Sequence, residues 1–338
     1  MYRQIVFRGL SLILCLLLLV GMVSATVWAD EEILFTGDVD ANGKISVRDA
    51  LAALKIAAGL EDPDEKTRTL ADVDGDGIVN AKDAVLILKK AAGLLHYFPA
   101  EKIEASGHIY IAGDSIASEH DYDETYERQL VGWGVVLKDY FTDEVTVYNE
   151  ARSGRSSSSY LTSSNYNQYI GNLAKGDYYL ISFGHNDEKL SDPSRYTDPY
   201  ASSDTRNSFK WYLKTYYIDP AIRAGAFPVL LSSVVRCTFA DENTLSAQSH
   251  EAYAIAMEEL VEEYKEEGII VGYIDMQQLT ADYYNSVGRE EAETLHAYTA
   301  SGLDTTHYCE KGAKLVSQMI IEEMERQGYD ICKFLKTE

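Results

Sequence analysis

The sequence predicts a small all-α domain followed by a larger α/β domain with a doubly wound parallel sheet. A twelve-residue pattern rich in aspartate occurs twice near the start, and a helix-like pattern follows each copy. From His108 onward, apolar strand-like runs alternate with helical patterns, which is typical of βαβ units. The 338 residues are enough for one large core and a smaller module.

The N-terminal segment, residues 1–29, is predicted to be a secretory signal peptide. Arg3 and Arg8 precede a Leu-rich apolar run, and cleavage is expected after Ala25 or Ala29. An uncleaved membrane anchor is the alternative, since the run is nearly long enough to span a bilayer. The acidic segment that follows favours cleavage, so we expect a secreted, extracellular protein that has no membrane association after processing.

Charge and cysteine content narrow the possible partners. The formal net charge is −24 at pH 7, and it becomes −26 without the two arginines of the signal peptide. So acidic a chain is not expected to bind nucleic acid or an anionic membrane. Three cysteines follow the signal peptide, Cys237, Cys309 and Cys332. Because their number is odd, at least one thiol is free or forms a disulfide with another chain. A disulfide between Cys237 and Cys309 is one hypothesis.

The repeated pattern, at residues 38–49 and 72–83, has the periodicity of a calcium loop. Oxygen-bearing side chains occupy positions 1, 3, 5, 9 and 12, glycine occupies position 6, and position 7 offers a main-chain carbonyl. We therefore predict two structural Ca²⁺ ions. Their expected ligands are Asp38, Asp40, Asn42, Lys44, Ser46 and Asp49 in the first loop, and Asp72, Asp74, Asp76, Ile78, Asn80 and Asp83 in the second. Position 12 is Asp rather than the usual Glu, which leaves bidentate binding open.

Each loop runs into an apolar-periodic helix, predicted at 50–60 and 84–95. Residues 36–97 resemble a type I dockerin, whose two calcium repeats dock onto a cohesin module of a scaffoldin. The resemblance implies that loop positions 10 and 11 face the cohesin. These positions are Val47, Arg48, Ala81 and Lys82. Residues 98–107 are predicted to be a linker, and residues 108–338 the second domain.

Five apolar runs of the second domain are predicted strands, at 109–112, 145–149, 178–183, 228–235 and 269–275. Helices are predicted at 129–140, 208–223, 247–267 and 311–327. The first strand ends in Gly113-Asp114-Ser115, which places a serine where α/β folds bind ligands. The second glycine of a Gly-x-Ser-x-Gly nucleophile elbow is missing, which disfavours an ordinary α/β-hydrolase.

A nucleophilic serine needs a base, and the base needs an orienting partner. His307 stands apart because Asp304 precedes it by three residues, so both could reach one site from a turn or a helical start. His185 remains an alternative base and is equally well interpreted as a buried structural histidine. The other five histidines are interpreted as surface or capping residues.

The Asn186 amide and the Gly154 N–H follow predicted strands on the same rim as Ser115, where they could stabilise an oxyanion. With His307, this set resembles the SGNH (GDSL) hydrolases, and in particular their rhamnogalacturonan acetylesterase branch, although Ile116 replaces the usual Thr. The resemblance implies a three-layer α/β/α, flavodoxin-like fold. It also implies two-step acyl transfer through acetyl-Ser115, with the Ser115 N–H as a third donor and no cofactor for catalysis.

The expected substrate is an acetylated plant cell-wall polysaccharide, most simply acetylated pectin. Arg152, Arg155 and Arg236 lie near predicted strand ends and could pair with a uronate carboxylate, or they could be ordinary surface arginines. Acetylated xylan or a lipid-like ester is an alternative substrate. A docking protein that binds polysaccharide without turnover is an alternative of a different class, although the intact Ser115, Asp304 and His307 disfavour it. The dockerin resemblance implies a cellulosome-type, cell-surface location.

Overall fold

The computed structural model describes residues 36–92, 98, 104–248, 250–266 and 270–337. The predicted signal peptide, residues 1–29, lies outside the described residues. Within the described ranges, no helix is both long and apolar enough to cross a membrane.

The N-terminal domain contains three helices, α1 (Val47–Ala57), α2 (Glu65–Ala71) and α3 (Ala81–Ala91). Helices α1 and α3 start three residues earlier than predicted. The reason is local, because the side chains at loop position 9, Ser46 and Asn80, accept hydrogen bonds from backbone N–H groups of the first turn. The aspartates at position 12 accept the N–H of these capping residues in return, which completes a capping box at each helix.

Phe98, the first residue of the predicted linker, is buried in the core of this domain with Ile56, Val73 and Ile87. The backbone of Gly37 lies against the Phe98 ring, where a Cβ would overlap the ring carbons. The Lys90 Nζ lies 4.0 Å from the ring centroid. The two ends of the domain therefore meet at one aromatic side chain.

The second domain is built on a five-stranded sheet in the order β2-β1-β3-β4-β5, and every neighbouring pair is parallel. The strands are β1 (His108–Gly113), β2 (Thr146–Asn149), β3 (Tyr178–Ser182), β4 (Phe227–Leu231) and β5 (Gly272–Ile274). This order is that of a flavodoxin-like sheet, as predicted. The chain leaves β1 for one edge and then returns to the other side, so the ends of β1, β2 and β3 frame a switch point.

The helices that follow are α4 (Trp133–Val136), α5 (Ser164–Tyr169), α6 (Phe209–Tyr212), α7 (Asp219–Ala224), α8 (Glu251–Glu266), α9 (Met276–Glu293) and α10 (Glu310–Arg326). A π-helical turn, Leu213–Ile218, joins α6 to α7, so the helix predicted at 208–223 is nearly continuous. Alternate strand residues face opposite layers. Ile111 packs with α4 and α10 on one face, and Ile181 packs with α6 to α8 on the other. The three-layer α/β/α prediction is confirmed.

Two features between β5 and α10 were not predicted. Helix α9 follows β5 and is interrupted at Gly288, whose φ is +77°. An antiparallel hairpin then forms from β6 (His296–Thr299) and β7 (Gly302–Tyr308). Tyr298 pairs with Leu303 and His296 pairs with Tyr308, so four residues of β7 lie opposite a single residue of β6. Such a bulge redirects side chains locally.

Candidate active site and calcium loops

The nucleophile, base and orienting carboxylate predicted from the sequence form one hydrogen-bonded chain. The His307 Nε2 lies 2.8 Å from the Ser115 Oγ, and the His307 Nδ1 lies 2.8 Å from the Asp304 Oδ2. Ser115 lies two residues beyond the end of β1, whereas the other two residues lie in the bulge of β7. The expected turn or helical start is therefore a bulged strand, which brings residues three apart onto one side.

Asp304 is fixed in this position by its other oxygen. The Oδ1 accepts the N–H groups of Thr306 and His307 at 2.8 and 2.9 Å. Burial alone would raise the pKa of Asp304, but the hydrogen bond and charge of His307 and these backbone donors outweigh it, so the pKa lies well below its ordinary value. The carboxylate therefore stays ionised and can hold His307 in the tautomer that presents Nε2 to the serine.

Three donors on the same rim are available for an oxyanion. In the described part of the chain, the Ser115 N–H, the Gly154 N–H and the Asn186 Nδ2 have no protein acceptor. The Asn186 side chain is buried, and its Oδ1 accepts a hydrogen bond from the Arg195 Nη1 at 3.3 Å. Since the oxygen of the amide is engaged, its NH₂ group is left as the donor. The role of Arg195 was not predicted, because Arg195 belongs to no recognisable sequence motif.

Asp187 connects the two loops that carry these donors. Its Oδ1 accepts hydrogen bonds from the Ser157 Oγ and the Thr197 Oγ1 at 2.5 and 2.7 Å, and the Ser157 N–H lies 3.1 Å away. Burial raises the pKa of Asp187 to about 7, although the hydrogen bonds oppose the shift. Because Ser157 follows Gly154 by three residues and Asp187 follows Asn186 directly, this contact fixes the spacing of the oxyanion donors.

The interpretation of the other histidines as surface or capping residues is wrong for His250 and His296, while His120 is partly buried. The His120 Nε2 lies 2.8 Å from the Ser115 carbonyl oxygen, and its ring packs edge-on against His307 with centroids 5.9 Å apart. His250 and His296 are fully buried. His185 is also buried, and its ring lies tilted against that of His250 with centroids 4.4 Å apart. Desolvation holds the pKa of His185 well below the usual range. The imidazole that contacts the serine is that of His307.

The three arginines predicted to bind substrate have different surroundings. The Arg236 guanidinium lies 2.5 Å from Glu188, and its Nε lies 3.3 Å from the Thr306 Oγ1 beside the catalytic histidine. Arg152 lies 3.7 Å from Glu150. Arg155 is exposed and lines a groove of about 780 Å³ that begins at Gly154. The groove therefore adjoins the oxyanion rim at Gly154.

The disulfide hypothesis is wrong. Cys237, Cys309 and Cys332 are all free. The Cys309 Sγ instead donates to the Thr294 carbonyl at 3.4 Å, and burial raises the pKa of Cys237 to about 12. These thiols are packing residues of the core, so the fold does not depend on a crosslink between them.

The calcium loops have the donor chemistry that Ca²⁺ requires. In the first loop, carboxylate oxygens of Asp38, Asp40 and Asp49 lie within 4.8 Å of one another; in the second, those of Asp72, Asp74 and Asp76 do so. Gly43 and Gly77 at position 6 have φ values of +84° and +86°, which a turn of this sharpness needs. Hard carboxylate oxygens converging on one centre fit calcium.

The four residues predicted to face a cohesin all lie in the first turns of α1 and α3 and are exposed: Val47, Arg48, Ala81 and Lys82. Lys82 also pairs with the Asp74 Oδ2 at 2.6 Å. Apolar side chains one turn further along the same helices, Leu51 and Val85, are about half exposed, at 54% and 50%. An apolar strip with basic residues beside it suits a protein partner.

Comparison with known families agrees with this architecture. Residues 109–320 match the family of GDSL-like Lipase/Acylhydrolase, and residues 36–91 match the Dockerin type I domain. The chain therefore belongs to the GDSL-like lipase/acylhydrolase family and carries a type I dockerin domain, a domain type that binds calcium. The predictions of a serine-type ester hydrolase class and of a dockerin are confirmed.

Similarity to individual proteins is more informative about substrate than the family match. The chain is 33% identical over 229 residues to rhamnogalacturonan acetylesterase RhgT of Bacillus subtilis (strain 168), covering 65% of this chain and 90% of the relative. It is 29% identical over 223 residues to the probable rhamnogalacturonan acetylesterase YesY of the same organism, covering 66% and 94%. The crystal structure of YxiM from Bacillus subtilis is similar with a TM-score of 0.53 and 25% identity, covering 66% of this chain and 57% of that one.

Proposed function

We propose that this protein is a secreted carbohydrate esterase that removes O-acetyl groups from plant cell-wall polysaccharide, most simply acetylated rhamnogalacturonan. The observation that carries the proposal is the hydrogen-bonded chain from the Ser115 Oγ through His307 to Asp304. The substrate class rests on the similarity to the rhamnogalacturonan acetylesterases RhgT and YesY. A polysaccharide that is only bound and released would need no such chain of groups.

In the proposed mechanism, the Ser115 Oγ attacks the acetyl carbonyl while the His307 Nε2 takes its proton, and Asp304 stabilises the imidazolium. The N–H groups of Ser115 and Gly154 and the Asn186 amide stabilise the oxyanion of the tetrahedral intermediate. The intermediate collapses to acetyl-Ser115 and releases the sugar hydroxyl, which receives the proton from His307. Water activated by His307 then hydrolyses the acyl-enzyme to acetate. Every step uses groups of the protein.

We also propose that the dockerin domain, residues 36–97, holds two Ca²⁺ ions through the ligands predicted for each loop and docks the enzyme onto a cohesin. Val47, Arg48, Ala81 and Lys82 are the proposed contacts. The ions would neutralise the clustered carboxylates and so allow the loops to close. Residues 1–29 are the proposed signal peptide, which would direct the enzyme out of the cell. Residues 98–107 are the proposed linker to the esterase domain, although its first residue, Phe98, packs in the dockerin core.

The experiment is acetate release by the mature protein from acetylated pectin and acetylated xylan. Release from pectin is expected to fall at least ~1,000-fold in Ser115→Ala, because the acyl-enzyme cannot form. Ser286→Ala, a change at an exposed serine on α9, is the matched control and should keep the wild-type rate. Release from xylan alone would move the proposal to that substrate. No release from either, with a folded protein, would contradict it.

A further inference from the structure

The groove beside the oxyanion rim is formed by the loops at 153–162 and 192–212. Gly154 lines both the groove and the rim, and a Cβ built on it would lie 4.0 Å from the Arg195 Nη1. Because neighbouring Cα atoms are about 3.8 Å apart, Arg155 stands one residue away from an oxyanion donor. The groove therefore offers a path past Arg155 for a polymer whose acetyl group reaches Ser115.

Of the two arginines that line the groove, Arg155 is the one without an ion-pair partner among the described residues. Arg195 pairs with Asp192 at 2.6 Å, Arg236 pairs with Glu188, and Arg152 pairs with Glu150. Among the residues that the structure describes, no hydrogen bond or ion pair reaches the Arg155 guanidinium. In a chain with a formal charge of −24, acidic partners are abundant. An unpaired guanidinium that lines a groove suits a carboxylate supplied by a ligand.

The opposite side of the groove contains an unusual residue and an ordered ring. Asn207 has a φ of +69°, a left-handed conformation that is uncommon for residues with a side chain. Its Oδ1 accepts the Tyr212 hydroxyl at 3.2 Å, and Trp211 packs edge-on against the Tyr212 ring at 5.1 Å. The strained backbone thus helps to hold a flat ring at the groove, where its apolar face suits the C–H face of a sugar.

We propose that this groove is a subsite for a uronate sugar, in which the Arg155 guanidinium binds the carboxylate and the Tyr212 ring packs against the sugar. The subsite makes the enzyme prefer acidic over neutral acetylated polysaccharides, and this inference rests on the proposed esterase function. Of the three arginines predicted to bind substrate, the proposal retains Arg155, since Arg152 and Arg236 pair with carboxylates of the protein.

The test compares kcat and KM for acetate release from acetylated uronate oligosaccharides with the rate on 4-nitrophenyl acetate. Arg155→Gln is expected to raise KM on the uronate substrate about tenfold, which equals about 1.4 kcal/mol, with kcat and the rate on 4-nitrophenyl acetate unchanged. Arg155→Lys should recover part of the loss. Arg223→Gln, the same charge change on α7 outside the groove, is the matched control and should resemble the wild type.

Substrates whose uronates are methyl-esterified provide the complementary change, because the carboxylate charge is masked. The wild type should then show the raised KM of Arg155→Gln, and the variant should show no further increase. An unchanged KM in Arg155→Gln, or an equal loss on 4-nitrophenyl acetate, would overturn the subsite. Hydrolysis of neither ester by the wild type would instead overturn the proposed function itself.

Discussion

The calcium loops and the active-site rim both contain buried aspartates, but the two regions hold them in different ways. In the first calcium loop, oxygens of Asp38, Asp40 and Asp49 converge to within 4.8 Å of one another. On the rim, Asp187 and Asp304 are separated, and each accepts several hydrogen bonds from hydroxyl, backbone or imidazole donors. The loop aspartates accept backbone N–H groups as well, for example Asp38 from Asn42 and Gly43. What distinguishes the loop is the convergence of several carboxylates on one point.

This difference has an electrostatic consequence. Like charges a few ångströms apart repel by several kcal/mol at low effective dielectric unless a cation lies between them, so the dockerin needs a group from solution. On the rim the aspartates stand apart from one another, so the charge of each depends on its own protonation instead. We therefore expect chelation to act on the first region, and substitution or pH to act on the second.

The largest expected effect is on catalysis. Asp304→Asn removes the charge that stabilises the imidazolium while keeping the size of the side chain, so kcat should fall by ~1,000- to 10,000-fold, which corresponds to ~4 to 5.5 kcal/mol. Steady-state acetate release measures the change. Calcium-dependent melting of the dockerin is the control and should be unaltered. A rate within tenfold of the wild type would mean that another group orients His307.

The next effect concerns pH and stability. The folded pKa of Asp187 is about 7, above its unfolded value of 3.8. As the pH rises from about 4 to about 7, the unfolded state therefore loses this proton first, and the folded state loses stability on the order of 4 kcal/mol from this group. Above pH 7 the contribution is constant. Asp187→Asn should remove this contribution to the dependence of the unfolding free energy on pH.

Urea unfolding at pH 5 and pH 8, followed by tryptophan fluorescence, measures this difference. Trp133 and Trp211 both lie in the catalytic domain, so the signal reports on the correct region. Asp282→Asn, an exposed carboxylate on α9, is the matched control and should keep the wild-type slope. Equal slopes in the wild type and Asp187→Asn would show that the hydrogen bonds from Ser157 and Thr197 outweigh burial.

Chelation should act on the dockerin alone. Calcium at a hundred times its dissociation constant stabilises a site by ~2.7 kcal/mol, so EGTA should lower the dockerin melting temperature, measured by circular dichroism, and leave ester hydrolysis unchanged. Asp38→Ala should weaken this calcium response, while Asp62→Ala, an exposed acidic residue outside the loops, should keep it. Loss of esterase activity in EGTA would contradict the separation of the two regions.

The smallest effect distinguishes the two calcium loops. At loop position 4, Ala41 has a φ of +53°, whereas the second loop has Gly75 with a φ of +75°. Left-handed backbone costs an alanine about 1–2 kcal/mol, and glycine gives up part of that gain through entropy in the unfolded chain. Ala41→Gly should therefore stabilise the calcium-loaded dockerin by ~0.5–1 kcal/mol in thermal unfolding. A lower melting temperature would contradict this.

The strands and the catalytic serine were predictable because they depend on local patterns, whereas the flavodoxin-like strand order was implied only by the family resemblance. The apolar run before Ser115 identifies a buried strand, and Asp304 and His307 are neighbours in sequence. The bulged hairpin was not predictable, since its register depends on how β7 pairs with β6. The contact between Arg236 and Thr306, seventy residues apart, and the hold of Arg195 on Asn186 also arise only from folding. The predicted starts of α1 and α3 were too late, because apolar periodicity does not show the turn that begins at the capping residues Ser46 and Asn80.

The contact between Phe98 and Gly37 affects how the dockerin can be joined to other proteins. Because one aromatic ring joins the first and last segments of the dockerin, its incoming and outgoing chain ends lie side by side. A domain of this shape can be inserted into a surface loop of another protein without forcing the flanking residues apart. Grafting this dockerin into an internal loop of an unrelated enzyme is therefore as feasible as a terminal fusion, provided that the graft includes Phe98.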